Sequence, residues 1–299
     1  MTTTPLFSPN ALAGKRILIT GGGTGLGRGV ARHLVANGAE VHLWGRRPAI
    51  LEEAAAEASA ERPGSVHWQA VDVRKADLVD AAMDEIWSQH GPLTGVINNA
   101  AANFIAPTES LSARAFEAVT STVMNGSFNT THAAGRRWIE GQTKGVVLST
   151  LTTWVWTGSA FVVPSAMAKA AVHSMTMSLA VEWARYGIRL NAIASGPIPT
   201  DYAWEMLNPT DESAIGATQA DQVPAGRMGT IEELANLTTF LLSDACDYLT
   251  GQTIAMDGGQ MLAGPGTFAG LTSMSNEDWA SAREKSKAAS EAAKSQRRV

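Results

Sequence analysis

Arg16-Ile17-Leu18-Ile19-Thr20-Gly21-Gly22-Gly23-Thr24-Gly25-Leu26-Gly27 is the stretch whose reading decides how this chain is organised. A short apolar run rich in β-branched residues ends in glycines, and a helical pattern follows from Val30 to Val35. The order is strand, turn, helix. Amides at the start of a helix lack intrahelical partners and sit at the positive end of its dipole, so they attract phosphate. The glycines at 21, 23, 25 and 27 let a ligand approach the backbone around Thr24 and Leu26. A glycine-rich turn can be no more than a tight turn. Its place between the first strand and the first helix makes it a dinucleotide-binding turn.

The same alternation continues outward from this turn. Val41-His42-Leu43-Trp44 is a second apolar run and leads into Gly45-Arg46-Arg47. At this point an acidic residue would take the free ribose of NAD, whereas an arginine accommodates a 2′-phosphate. No acid is present, so Arg46 and Arg47 predict NADP(H), against the plainer reading of a solvated pair. Helix 50–60, strand 66–71 with Asp72-Val73 at its end, helix 75–89 and a strand running into Asn98-Asn99-Ala100-Ala101 follow. Next come one long helix over 114–140 with Asn125-Gly126 inside it, strand 145–149, helix 165–186, strand 189–193, helix 231–242 and a last strand from Thr253. Asparagine and glycine both lower helix stability, so a role beyond packing is expected for that pair. The expected architecture is a single-domain α/β fold with a doubly wound, mostly parallel sheet of the Rossmann type. It spans residues 14–264, with an extension at 1–13, a substrate loop at 199–226, and a segment with a charged helical tail at 265–299.

Composition narrows the function classes. A chain of 299 residues with 45% hydrophobic and 17% charged residues describes an ordinary globular protein. It has no apolar run long enough to span a membrane. The net charge of −5 argues against a nucleic-acid partner, which calls for a basic footprint. Cys246 is the single cysteine, so no intrachain disulfide forms, and the start Met1-Thr2-Thr3-Thr4-Pro5 lacks a secretory pattern. A cytoplasmic protein is expected, with no metal site.

The Gly-x-x-x-Gly-x-Gly spacing through Gly21, Gly25 and Gly27, the Asn98-Asn99-Ala100 run and Lys169 at the head of a helical pattern resemble the short-chain dehydrogenase/reductase family. The resemblance runs from Gly14 to about Trp279. It implies cofactor contacts from Asp72, Val73 and Asn99, and from Pro197, Ile198 and Thr200 in the loop that seats the nicotinamide. It also implies that Lys169 holds the nicotinamide ribose and that Asn125 organises a water relay to it. The usual catalytic tyrosine, four residues before the lysine, is Ser165 here. Asn103-Phe104-Ile105 and Ser165 are similar to the 2,4-dienoyl-CoA reductase branch, which carries its tyrosine eleven residues farther upstream. That position is Trp154.

The resemblance therefore implies an NADP(H)-dependent reductase of an unsaturated fatty acyl-CoA, assembled as a homotetramer. In it Asn103 helps to hold the thioester carbonyl. Trp154 either donates its indole N–H to the developing oxyanion or lines an acyl channel, and both readings stand on the residues alone. Trp156 would face the other side if the segment is extended. Two alternatives remain: a reductase of a ketone or of a cyclic or steroidal acyl-CoA, assisted by Thr152, Thr153 or Ser165, and a cofactor-binding subunit without turnover.

Overall fold

The computed structural model describes residues 7–60, 62–103, 105–200 and 220–264, together with 275, 277, 278 and 280. Seven strands form one parallel sheet: β1 (Arg16–Thr20), β2 (Glu40–Gly45), β3 (Val66–Ala70), β4 (Gly95–Asn98), β5 (Gly145–Thr152), β6 (Ile188–Ser195) and β7 (Thr253–Met256), in the order β3-β2-β1-β4-β5-β6-β7. Covered on both faces, central strands of a parallel sheet carry apolar residues without alternation. All four residues of β4 and all eight of β6 are buried accordingly. The three polar side chains buried in β6 are paired, Ser195 through its hydroxyl to the Leu151 carbonyl. Arg189 donates to the Leu241 and Ser243 carbonyls, and Asn191 to that of Leu249.

On one face lie α1 (Gly25–Ala36), α2 (Pro48–Ala58) and α8 (Ile231–Leu242), which bury Leu34, Leu51 and Leu234 with Ile19 and Leu43 of the sheet. The other face is covered by α3 (Ala76–Gln89), α5 (Gly126–Glu140) and α7 (Val163–Trp183), through Met83, Trp138 and Trp183 against Leu18 and Val147. Leu12, within the expected extension, is fully buried in the first of these cores, and its amide donates to the Asn37 carbonyl.

Two expectations need correcting. The long helix over 114–140 is instead α4 (Ala113–Thr120), a π-helical turn (Ser121–Asn125) and α5. Threonine hydroxyls compete for the backbone there, Thr120 donating to the Phe116 carbonyl and Thr122 to that of Ala118. The segment after β5 is not extended either, because Trp154–Thr157 forms a single helical turn, α6, ended by Gly158 at φ +67°. Trp156 is exposed there and meets the His173 ring edge-on at 5.8 Å. Most of the expected substrate loop, and almost all of 265–299, lies outside the described residues.

Candidate active site

The strand order reverses between β1 and β4, and in doubly wound sheets a ligand binds at such a point, beyond the carboxyl ends of the strands. The turn after β1 is built for close approach. Gly21 has φ +67°, and a Cβ on Gly27 would lie 2.5 Å from the Gly21 carbonyl oxygen and 2.6 Å from the Asn99 amide nitrogen. Asn99 holds the turn open by donating its side-chain amide to the Thr20 and Gly21 carbonyls. Thr20 accepts the backbone amides of Asn99 and Ala100 on its hydroxyl, 3.0 Å from each, which ties the ends of β1 and β4 together.

Thr24 caps α1 without using its side chain, and the first turn of that helix holds no acidic residue. Its amides are thus left for an anion. Next to them is a cavity of about 490 Å³, whose wall includes Gly21, Gly23, Thr24, Arg46, Arg47, Asp72, Val73 and Asn103. Arg46 and Arg47 are exposed, and neither forms an ion pair among the described residues. Asp72 is already held by Arg74, whose Nε and Nη2 reach its carboxylate at 2.8 and 2.5 Å. That pairing, with a smaller effect from Arg46, lowers the pKa of Asp72. Leu26 does not line the cavity and packs into the core beneath the turn.

The other half of the site lies along the same edge of the sheet. β4, β5 and β6 are neighbours, with Asn98 beside Ser149 and Thr152 beside Ser195. Pro197 stands two residues past the end of β6. Its carbonyl accepts the Gly229 amide, Ile198 packs into the core, and Thr200 lies against Gly25, so this loop meets the glycine turn. Lys169 is buried, and its Nζ donates to the Thr150 carbonyl at 3.2 Å. With no carboxylate paired to it among the described residues, burial lowers its pKa to about 8. One turn before it, Ser165 is 1% exposed and its hydroxyl has no partner among the described residues; the buried hydroxyls of Ser149 and Thr152 are in the same state. Trp154 is half-buried, and no hydrogen bond to its indole N–H is found among the described residues.

Asn125 is not brought to this group. It is exposed, at the end of the π-helical turn, and borders a separate cavity with Arg74, Phe128 and Met175. The residue of that turn packed against α7 is Val123, in contact with Ala168. Four contributors were not foreseen: Thr20, Arg74, Thr122 in the cavity wall, and the Thr150 carbonyl. Thr20 had a signal, a hydroxyl closing an apolar strand directly before the glycines. Thr150 acts through its backbone, which no residue type reveals.

The family model described as enoyl-(acyl carrier protein) reductase matches residues 21–261. The chain belongs to the short-chain dehydrogenase/reductase family. As a member, it is an oxidoreductase that uses a nicotinamide cofactor. A probable (2E)-enoyl-CoA-producing 2,4-dienoyl-CoA reductase of Bacillus subtilis is 43% identical over 83% of this chain and 97% of its own. A probable (3E)-enoyl-CoA-producing 2,4-dienoyl-CoA reductase of Caenorhabditis elegans is 37% identical over 92% and 90%. Among solved structures, a gluconate 5-dehydrogenase from Burkholderia cenocepacia in complex with NADP and tartrate superposes with a TM-score of 0.76. It is 30% identical and matches over 85% of this chain and 98% of its own. In this short-chain dehydrogenase/reductase no phenol stands beside the lysine among the described residues, because Tyr186 lies beyond the far end of α7 and Tyr248 is fully exposed.

Proposed function

We propose that the chain reduces a 2,4-dienoyl-CoA thioester with NADPH. The observation that carries this reading is a buried Lys169 with Ser165 one turn before it and no phenol beside it among the described residues, while Trp154 holds the position eleven residues upstream of that serine. Carbonyl reduction needs an acid at the oxygen, and a serine hydroxyl is a poor one without a base. Reduction of a conjugated thioester asks for less. Bound NADPH supplies a hydride to carbon 5 of the acyl chain, and negative charge collects on the thioester oxygen. Trp154 and Asn103 hold that oxygen as donors, each contributing roughly 3–4 kcal/mol if preorganised. Lys169 adds positive charge nearby and binds the nicotinamide ribose, with Pro197, Ile198 and Thr200 seating the ring. The proton goes to carbon from water, since Trp154 cannot supply it: its indole only donates a hydrogen bond. Protonation at carbon 2 leaves a 3-enoyl product and protonation at carbon 4 a 2-enoyl product, the two outcomes that the names of the relatives carry.

Preference for NADPH rests on Arg46 and Arg47, exposed on the cavity and without ion-pair partners among the described residues. Charge-assisted hydrogen bonds of about 1.5–3 kcal/mol give NADPH roughly a 10–150-fold advantage over NADH. Arg46→Ala should erase most of it, whereas equal affinity of the parent for both cofactors removes the reading. The substrate is tested by mixing protein, NADPH and a trans,trans-2,4-dienoyl-CoA and following loss of NADPH absorbance, with the product identified by NMR. Turnover of ketones or of cyclic acyl-CoA esters, but of no dienoyl-CoA, favours a second reading in which the buried hydroxyl of Thr152 or Ser165 assists carbonyl reduction.

Homotetrameric assembly belongs to the same proposal. It is supported by apolar side chains exposed on α5 and α7, Phe128, Met177 and Val181 among them. No helix among the described residues is long and apolar enough to cross a membrane. A cytoplasmic location is proposed on the single, buried cysteine.

A further inference from the structure

At the opposite end of the sheet from the glycine turn, three of the six histidines of the chain gather around one carboxylate. His42 and His67 are register partners on β2 and β3, so their side chains emerge on the same face, and His90 is the residue that ends α3. The ring centroids are 4.0–5.0 Å apart. His42 Nε2, His67 Nε2 and His90 Nδ1 lie 3.1, 3.7 and 3.6 Å from a single oxygen, Oε1 of Glu40. A cavity of about 280 Å³ opens beside the rings.

We propose that Glu40, His42, His67 and His90 form a structural binding site for a divalent transition-metal ion of the zinc type. Imidazole nitrogen with one carboxylate oxygen is the donor set such ions take, at about 2.0–2.2 Å. Tetrahedral ligands at that distance stand about 3.4 Å from one another, and the three nitrogen-to-oxygen separations bracket this value. Ligand atoms of Glu40, His42 and His90 all fall within 4.8 Å of each other; His67 stands outside that group of three, and a turn of its ring, whose Nε2 is 3.7 Å from the shared oxygen, brings in the fourth ligand.

Hydrogen bonding alone does not account for the arrangement. Only the His42 contact is within hydrogen-bond distance, while His67 and His90 approach the same oxygen from just beyond it. Arg16 already grips Glu40, with Nε at 2.9 Å from Oε1 and Nη2 at 3.1 Å from Oε2, and is itself anchored on the Pro92 carbonyl. With an ion bound, Arg16 keeps Oε2 and orients the carboxylate, the usual part of an outer partner to a metal ligand. The ion would tie β3, an edge strand, and the end of α3 to β2. It lies away from the carboxyl ends of the strands and takes no part in hydride transfer.

The test uses full-length protein without an affinity tag, dialysed against chelator and then titrated with Zn²⁺ by calorimetry, with Co²⁺ absorption as a second probe. One equivalent per chain is expected, with a raised Tm and the visible bands of tetrahedral Co²⁺. His67→Ala and His90→Ala, both at partly exposed positions, should each weaken Zn²⁺ binding at least tenfold, and His132→Ala, at an exposed histidine outside the group, should not. If either variant fails to fold, His67→Gln and the Co²⁺ spectrum of the parent decide in its place. Absence of Zn²⁺ binding, or binding unchanged in both cluster variants, overturns the proposal.

Discussion

Trp154 offers an N–H and no acidic proton, so it can hold a charged oxygen but cannot titrate in place of a phenol. Trp154→Phe keeps the ring bulk and removes the donor. Turnover of a dienoyl-CoA at saturating NADPH should then fall roughly 10²–10³-fold, with little change in cofactor affinity. A phenylalanine variant as fast as its parent would reduce the residue to a wall of the acyl channel. Lys169 makes a second prediction, this time through pH. Its pKa is about 8 in the folded chain against an ordinary 10.5, so the unfolded chain binds more protons between those values. The contribution of this group to stability is therefore flat below pH 8 and rises as pH climbs from about 8 to 10.5. The rise amounts to something on the order of 3 kcal/mol. In cofactor-free protein, Lys169→Met should abolish that part of the rise, measured as the difference in urea midpoints between about pH 7 and about pH 10.

Helices and strands were legible wherever residue type and period agreed. The run Arg16–Thr20 followed by spaced glycines could hardly be read otherwise, and β1 and α1 stand where it put them. The π-helical turn was not legible, because the extra residue is settled by how Val123 packs on α7 and not by any preference of Ser121–Asn125. Asn125 was misread for the same reason: one inserted residue turns a helical face by about 100°. Contacts between helices give a sharper test. A Cβ on Gly135 of α5 would stand 2.4 Å from the Trp183 ring of α7. Gly135→Ala should cost about 1–3 kcal/mol through overpacking, although alanine is the better helix former. An urea midpoint equal to that of the parent would show that the two helices have room to separate.

Over the whole molecule, faces that α5 and α7 leave uncovered bear on assembly. Val181 is 83% exposed and Phe128 52%. Val181→Lys should lower the mass found by light scattering from that of a tetramer of 31.5 kDa chains, and a parent that is already monomeric would remove the assembly reading. The histidine group shows what the sequence hides at this scale. His42, His67 and His90 carry no motif spacing, and only the register of β2 with β3 and the return of α3 bring them together. The position of β1 has a consequence in time. It sits between β2 and β4 near the middle of the sheet, yet it is the first strand made, and the Arg16 amide meets the Thr94 hydroxyl across 78 residues of chain. At ~5–20 residues per second on the ribosome, one long side of an apolar strand waits roughly 4–16 s for its neighbour. A nascent chain of this kind is open to wrong pairing throughout that interval, so slower initiation, cooler growth or a holding chaperone should raise the yield of soluble protein without changing one contact of the finished fold.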